Sequence, residues 1–175
     1  MDDLVKAALK KWPNVPHCYG WLALDARGDW YMRDERIQRS GPFPQVKGSR
    51  IQHDKLLAFI HRNYAHDDDG AWFFQNGPQR VYVQLEAAPY VWRVGSAAPW
   101  PLTSHTGQAA QARAAWVDER GRLFIDSDIG LGIVHTLDMG AAADAVEHGH
   151  WQPSEIAFEE LPARFGYRLV PQPAA

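Results

Sequence analysis

The apolar positions of the chain change period several times, and each change marks an element. Over residues 2–12, Leu4, Val5, Ala8, Leu9 and Trp12 fall on one helical face with Lys6, Lys10 and Lys11 turned away. Asp2 and Asp3 are placed to cap this helix and Pro13 to stop it. From Tyr19 to Arg33 the period drops to two on either side of Asp25-Ala26-Arg27-Gly28, which predicts a hairpin. Leu56, Phe59, Ile60 and Tyr64 return to helical spacing and predict a helix over 51–65. Three strands follow at 72–75, 80–86 and 90–94, the first two joined at Asn76-Gly77-Pro78, where Pro78 is expected to displace the common two-residue turn. A second hairpin is predicted over 114–126 around Asp118-Glu119-Arg120-Gly121. Beyond a Gly-rich segment, IGLGIVH, a short helix is expected over 137–148, then strands at 155–160 and 165–170 and a frayed PQPAA end.

Between these elements composition takes over. Arg33, Arg36, Arg39, Lys47 and Arg50 lie among Gly41, Pro42, Pro44 and Gly48, the composition of an exposed basic loop that either is solvated or contacts an anion or partner. Residues 95–113 turn to Ala, Ser, Thr, Gly and Pro and read as a long connection. The expected fold class is α+β, with antiparallel sheets or partly open barrels in two similar halves, each packed with a helix. The division is a lead-in over 1–18, a first half over 19–95, a connection over 96–113, a shorter second half over 114–170 and a tail over 171–175. An internal repeat is suggested by LDARGDWYM against VDERGRLFI, which share Asp, Arg and Gly at equal offsets, and by Tyr90–Val94 against Phe165–Leu169.

Of 175 residues 46% are apolar and eight are tryptophan, enough for an ordered core. The net charge of -3 gives no basic field, which disfavours nucleic acid as a partner. Cys18 is the single cysteine; it excludes an internal disulfide and a multi-cysteine zinc site and fits a reducing compartment. No signal-peptide pattern and no run of ~18 apolar residues is present, so a cytoplasmic protein away from the membrane is expected.

Chemical motifs are sparse. HExxH, GxSxG, Walker A and a correctly placed GxGxxG are all missing, and no cofactor is expected. His148-Gly149-His150 lacks an identifiable third ligand, so no metal site is assigned. Asp67-Asp68-Asp69-Gly70 fails as a calcium loop, because the register puts Ala65 and Asn76 at obligatory ligand positions; an acidic turn is expected instead. Glu159 and Glu160 would face opposite ways in a strand, and Asp118 and Arg120 are expected to be exposed in their turn. Alternation puts Arg80, Tyr82 and Gln84 on one sheet face and Val81, Val83 and Leu85 against the 51–65 helix. Arg80 and Tyr82 would then be exposed beside Trp92 or Trp72, near the Asn76 turn, as a surface for a planar or anionic ligand or a peptide. The other reading is a polar face that is solvated or covered. His105 and Thr106, in the connection, are the polar candidates for a cleft.

RIQHDKLLAFIHRN, DDDGAWFF and PQRVYVQLEAAPYVWRV together resemble a proteobacterial family of unknown function. That family carries an Asp-Gly-x-Trp hairpin, an I-x-x-x-x-L-x-x-F helix and a V-x-V-x-x-x-P-[YF] strand pair, and the resemblance covers most of residues 19–94. FQNGPQRVYV and VHTLDM also resemble a narrower uncharacterised family. The resemblance implies two similar α+β halves and a suggested role in signal transduction; it names no catalytic residue. The expected function is binding or a signalling-associated role, with an unidentified small molecule or protein as partner. An enzyme of unrecognised class with a cleft between the halves and an oligomeric scaffold, in which the partner is a second copy, are the alternatives.

Overall fold

A computed structural model describes residues 1–174; Ala175, the last residue of the expected frayed tail, lies outside the described residues. The chain divides into two compact units. One is formed by residues 1–25, 29–86 and the segment from 167 onward, the other by Ala26–Gly28 and Ala87–Gly166.

The first unit contains α1 (Asp3–Lys11), β1 (Cys18–Leu24), β2 (Trp30–Met32), α2 (Glu35–Ser40), β3 (Ser49–Arg50), α3 (Asp54–Arg62), β4 (Tyr64–His66), β5 (Trp72–Asn76) and β6 (Gln79–Leu85). Its sheet has the order β3-β2-β1-β6-β5-β4; β1 and β6 run parallel and the other neighbours antiparallel. The predicted 51–65 helix is present as α3, capped by the His53 ring, which accepts from Leu56 N at 3.3 Å. It ends before Tyr64, which enters β4 instead. Phe59 of α3 packs edge-on against Phe74. The Trp30 indole donates to His61 Nε2 at 2.9 Å, and burial pushes the His61 imidazole pKa below its ordinary value. Asp2 occupies the N-cap position of α1 without a side-chain cap bond: its carboxylate takes Arg62 at 3.2 Å, and of the expected apolar face only Val5 is buried. The turn between β5 and β6 is moved to Gly77-Pro78, with Asn76 paired to Gln79.

The expected exposed basic loop over 33–50 holds for Arg36, Arg39 and Arg50, which are exposed, but not for Arg33. Arg33 is only 2% exposed; its guanidinium donates to Gln84 Oε1 (2.8 Å) and Gly41 O (2.7 Å), and α2 lies within the segment, capped by Asp34. The guanidinium fork reaches two acceptors at once, one on the sheet and one in the segment that folds back beside it.

The second unit contains β7 (Tyr90–Val94), β8 (Leu102–Ser104), β9 (Ala109–Ala110), β10 (Ala112–Val117), β11 (Leu123–Ser127), β12 (Gly130–Val134), α4 (Met139–Glu147), β13 (Ser154–Glu155) and α5 (Leu161–Phe165). Its order is β13-β10-β11-β12-β7-β8-β9, with β7 parallel to β12, β13 parallel to β10 and the rest antiparallel. Tyr90–Val94, grouped by the sequence with the strands before it, pairs in this sheet. The expected connection supplies β8 and β9, and the Gly-rich segment is the strand β12. Gly132 is required there because a Cβ would run into the Trp92 indole.

The two expected C-terminal strands are replaced. Only Ser154–Glu155 pairs; Phe158–Glu160 form a turn of 3-10 helix and Leu161–Phe165 are helical, stopped by Gly166 at φ 66°. Glu159 and Glu160 are therefore not strand neighbours. Asp118 is buried, accepting from Arg120 N, Arg122 N and the Arg122 side chain.

The structure keeps two similar halves but realigns them. The orders β3-β2-β1-β6-β5-β4 and β9-β8-β7-β12-β11-β10 are the same, with the parallel pair in the same place. Under this match DERG, between β10 and β11, corresponds to DDDG, between β4 and β5, and not to DARG. Asp67 and Asp118 indeed cap their turns identically, each accepting from the residues two and four further on. The likeness of DARG to DERG reflects what any such hairpin turn requires locally.

Asp138 ties the start of α4 to β7, accepting from Arg93 and from Val94 N. The Arg93 hydrogen bond holds its carboxyl below the usual carboxylate range, against the opposing effect of burial. A depressed folded pKa contributes stability above the unfolded value that is lost as pH falls through the folded one. Because Arg93 is half exposed, Asp138→Asn should lower stability by only about 1 kcal/mol near neutrality. Urea midpoints of variant and wild type should converge as the pH falls below the depressed folded pKa; a difference that persists in strong acid would show that the charge is not its source.

Candidate functional site

Residues 109–117 read AAQARAAWV, with five alanines in nine positions. They form one strand interrupted at Gln111. Ser104 N donates to Gln108 O along one edge, whereas Gln111 exchanges bonds with Asp128 across the other. The strand thus has β8 beside its first part and β11 beside its second, which curls the sheet into a partly open barrel.

Along the β8 edge the ladder has a gap. Pairing with β8 ends at Leu102–Ala110, and the next residue, Pro101, has no N–H to continue it. On the same edge β13 starts only at Ser154 opposite Trp116, and Pro153 precedes it. Residues 111–115 therefore have no strand registered on that side, and alanine side chains leave the space open.

A cavity of about 570 Å³ occupies the gap, bounded by Ala109–Trp116, Pro99–Leu102, Gly149–Gln152 and Ser154. Its walls carry Trp100, Trp116 and Trp151. The indole N–H of each lacks an acceptor among the described residues. Trp100 has φ 48°, left-handed backbone that a bulky side chain adopts at a penalty of ~1–3 kcal/mol. His148 and His150 tilt against its ring at 5.5 and 5.2 Å, and the Arg164 guanidinium lies 4.0 Å from the Trp116 ring centroid. Arg113 is exposed at the rim, and among the described residues none that lines the slot is acidic. Such a slot suits an occupant with an apolar body and negative charge.

The residues singled out from sequence lie elsewhere. Tyr82, expected to be exposed, is buried: Tyr19 stacks on it at 4.6 Å, Phe73 and His17 meet it edge-on, and its hydroxyl donates to Asp67 at 3.0 Å. Burial raises the Tyr82 phenol pKa above its ordinary value. Arg80 lies over Phe73 at 4.3 Å and reaches the Tyr82 hydroxyl at 3.4 Å, so the expected arginine–aromatic face exists but is largely covered. A cavity of about 450 Å³ remains beside it, lined by Tyr19, Asp67, Tyr82 and Arg168 among others. Trp72 is not beside Arg80. Phe73 pairs with Tyr82, which turns Trp72 to the opposite face against Tyr64 and His66. Trp92, expected at this surface, is fully buried in the second unit. Asn76 is exposed at the end of β5. His105 and Thr106 shape the β8–β9 turn: His105 Nδ1 accepts from Val91 N at 3.2 Å and Thr106 meets the Ser104 hydroxyl at 2.8 Å.

The slot residues were missed because 95–113 reads as linker. The legible signal was PWP at 99–101 and WQP at 151–153, tryptophans held beside residues that cannot join a ladder, facing an alanine-rich strand.

No curated protein matches the sequence. Among solved structures, a DUF1285 family protein from Silicibacter pomeroyi DSS-3 is similar over 82% of this chain and 84% of its own, with 14% identity and a TM-score of 0.51. A second, from Shewanella baltica OS155, covers 71% and 91% at 15% identity with a TM-score of 0.47. The first is a likeness of fold. Residues 1–172 match the profile of a family described as "Protein of unknown function (DUF2946)", and the chain belongs to that family.

Proposed function

We propose that the protein is a binding module and that its ligand enters the tryptophan-walled slot of the second unit. One observation carries this reading: an interrupted sheet edge opens onto a concave space walled by three indole rings, with the exposed Arg113 among its lining residues. Aromatic walls around a concave space next to unpaired backbone are where an occupant gains apolar contact and ladder hydrogen bonds together. The strained backbone at Trp100 supports the reading, since a large ring is held in the wall of the slot at that penalty. A role in signalling, expected from the family resemblance, would consist in this binding event.

The test is a fragment screen of aromatic and aliphatic carboxylates, amides and indoles, read by thermal shift and tryptophan fluorescence. Ala114 lines the slot and is exposed, so Ala114→Phe should fill the space with little change in stability. Fragments are expected to bind the wild type and to lose at least tenfold in affinity for this variant. Hits that bind both proteins equally, or a screen without hits, would overturn the assignment.

A further inference from the structure

Resting on that reading, we infer that the occupant is an extended acidic peptide segment that adds as a short strand to the bare edge over residues 111–115. The gap itself argues for a backbone rather than a compact molecule. It lies in line between two real pairings, Leu102–Ala110 and Ser154–Trp116, on one edge of one strand. A chain running through it would continue a ladder that Pro101 and Pro153 prevent the protein from completing itself. Five residues of strand span roughly 17 Å, room for a segment of three to five residues. Alanines at 112, 114 and 115 let another backbone approach closely, and Trp100 and Trp151 flank the place where an alternate side chain would enter.

Charge selects among peptides. Arg113 is exposed at the rim, and among the described residues no aspartate or glutamate lines the slot. A carboxylate beside a large apolar residue is the complementary pattern. The concave walls oppose pairing of two copies edge to edge, since each copy's Trp100 and Trp151 segments would meet the other's.

The experiment selects displayed random decapeptides on the full chain, then measures synthetic peptides of recovered sequence. Enriched sequences should pair Asp or Glu with an aromatic or branched residue. Methylating backbone nitrogens one at a time should weaken binding at least tenfold at alternate positions and hardly at all between them, the signature of a ladder. Arg113→Glu should weaken the acidic peptides at least tenfold and leave a matched basic peptide unchanged or tighter. Binding indifferent to N-methylation overturns strand addition, as does enrichment that survives Ala114→Phe. If small fragments occupy the slot but no peptide is enriched, the peptide inference fails while the binding module stands. A concentration-dependent dimer in sedimentation, abolished by Ala114→Phe, would instead assign the edge to a second copy and overturn the peptide.

Discussion

Trp92→Ala should lower the unfolding free energy by about 3–5 kcal/mol, the range for removing a large aromatic side chain from a core that cannot collapse around the loss. Trp92 is 0% exposed, its indole donates to Ile125 O at 2.9 Å, and its ring lies 5.4 Å from Tyr90 in a stacked arrangement. Gly132 leaves the space the ring occupies, so relaxation would have to come from β7 and β12, whose registers are set by neighbouring pairs. Trp92→Phe should lose less, about 1–3 kcal/mol, by surrendering the hydrogen bond and part of the volume. Urea denaturation provides the measurement. A loss under about 1 kcal/mol for the alanine variant would mean that Trp92 does not organise this barrel.

Arg33→Ala is expected to show the second largest effect, about 3 kcal/mol, with faster amide exchange across α2 and residues 41–48. The guanidinium is buried without a carboxylate partner among the described residues, and burial alone draws its pKa below the ordinary arginine value. Its bonds to Gln84 and Gly41 O hold the folded-back segment, so truncation leaves two part-buried acceptors without this donor. Arg33→Met keeps the stem's packing and removes the buried charge, and should lose clearly less than alanine. Equal losses for the two variants would place the whole effect in the hydrogen bonds; wild-type exchange rates in α2 for both would refute the tether.

Elements set by local pattern were legible in the sequence. The stripe of α3, the alternation of β5, β6 and β7 and the Asp-x-x-Gly turns follow from side-chain period and turn chemistry acting over a few residues. Burial by face was legible only in part. Arg80 and Tyr82 do share a face, as alternation requires, yet Tyr19, His17 and Asp67 cover it, and nothing near residue 82 in the sequence announces them. The C-terminal strands failed because Tyr167 and Leu169 alternate convincingly while Pro162 and Gly166 set a helix turn just before them.

Periodicity and residues close in the chain account for the α+β class, the three consecutive strands over 72–94 and the α3 helix, whereas the duplication, suggested from DARG and DERG, is aligned only by the strand orders. Tertiary structure decided that Arg33 is buried, that Trp92 belongs to a core, that Tyr90–Val94 pairs with β12 and β8, and that β10 corresponds to β4. It also decided the slot. Trp100, Trp116 and Trp151 lie far apart in sequence, and only the pairing of β8 and β13 with one bent strand brings them around a gap that neither can fill.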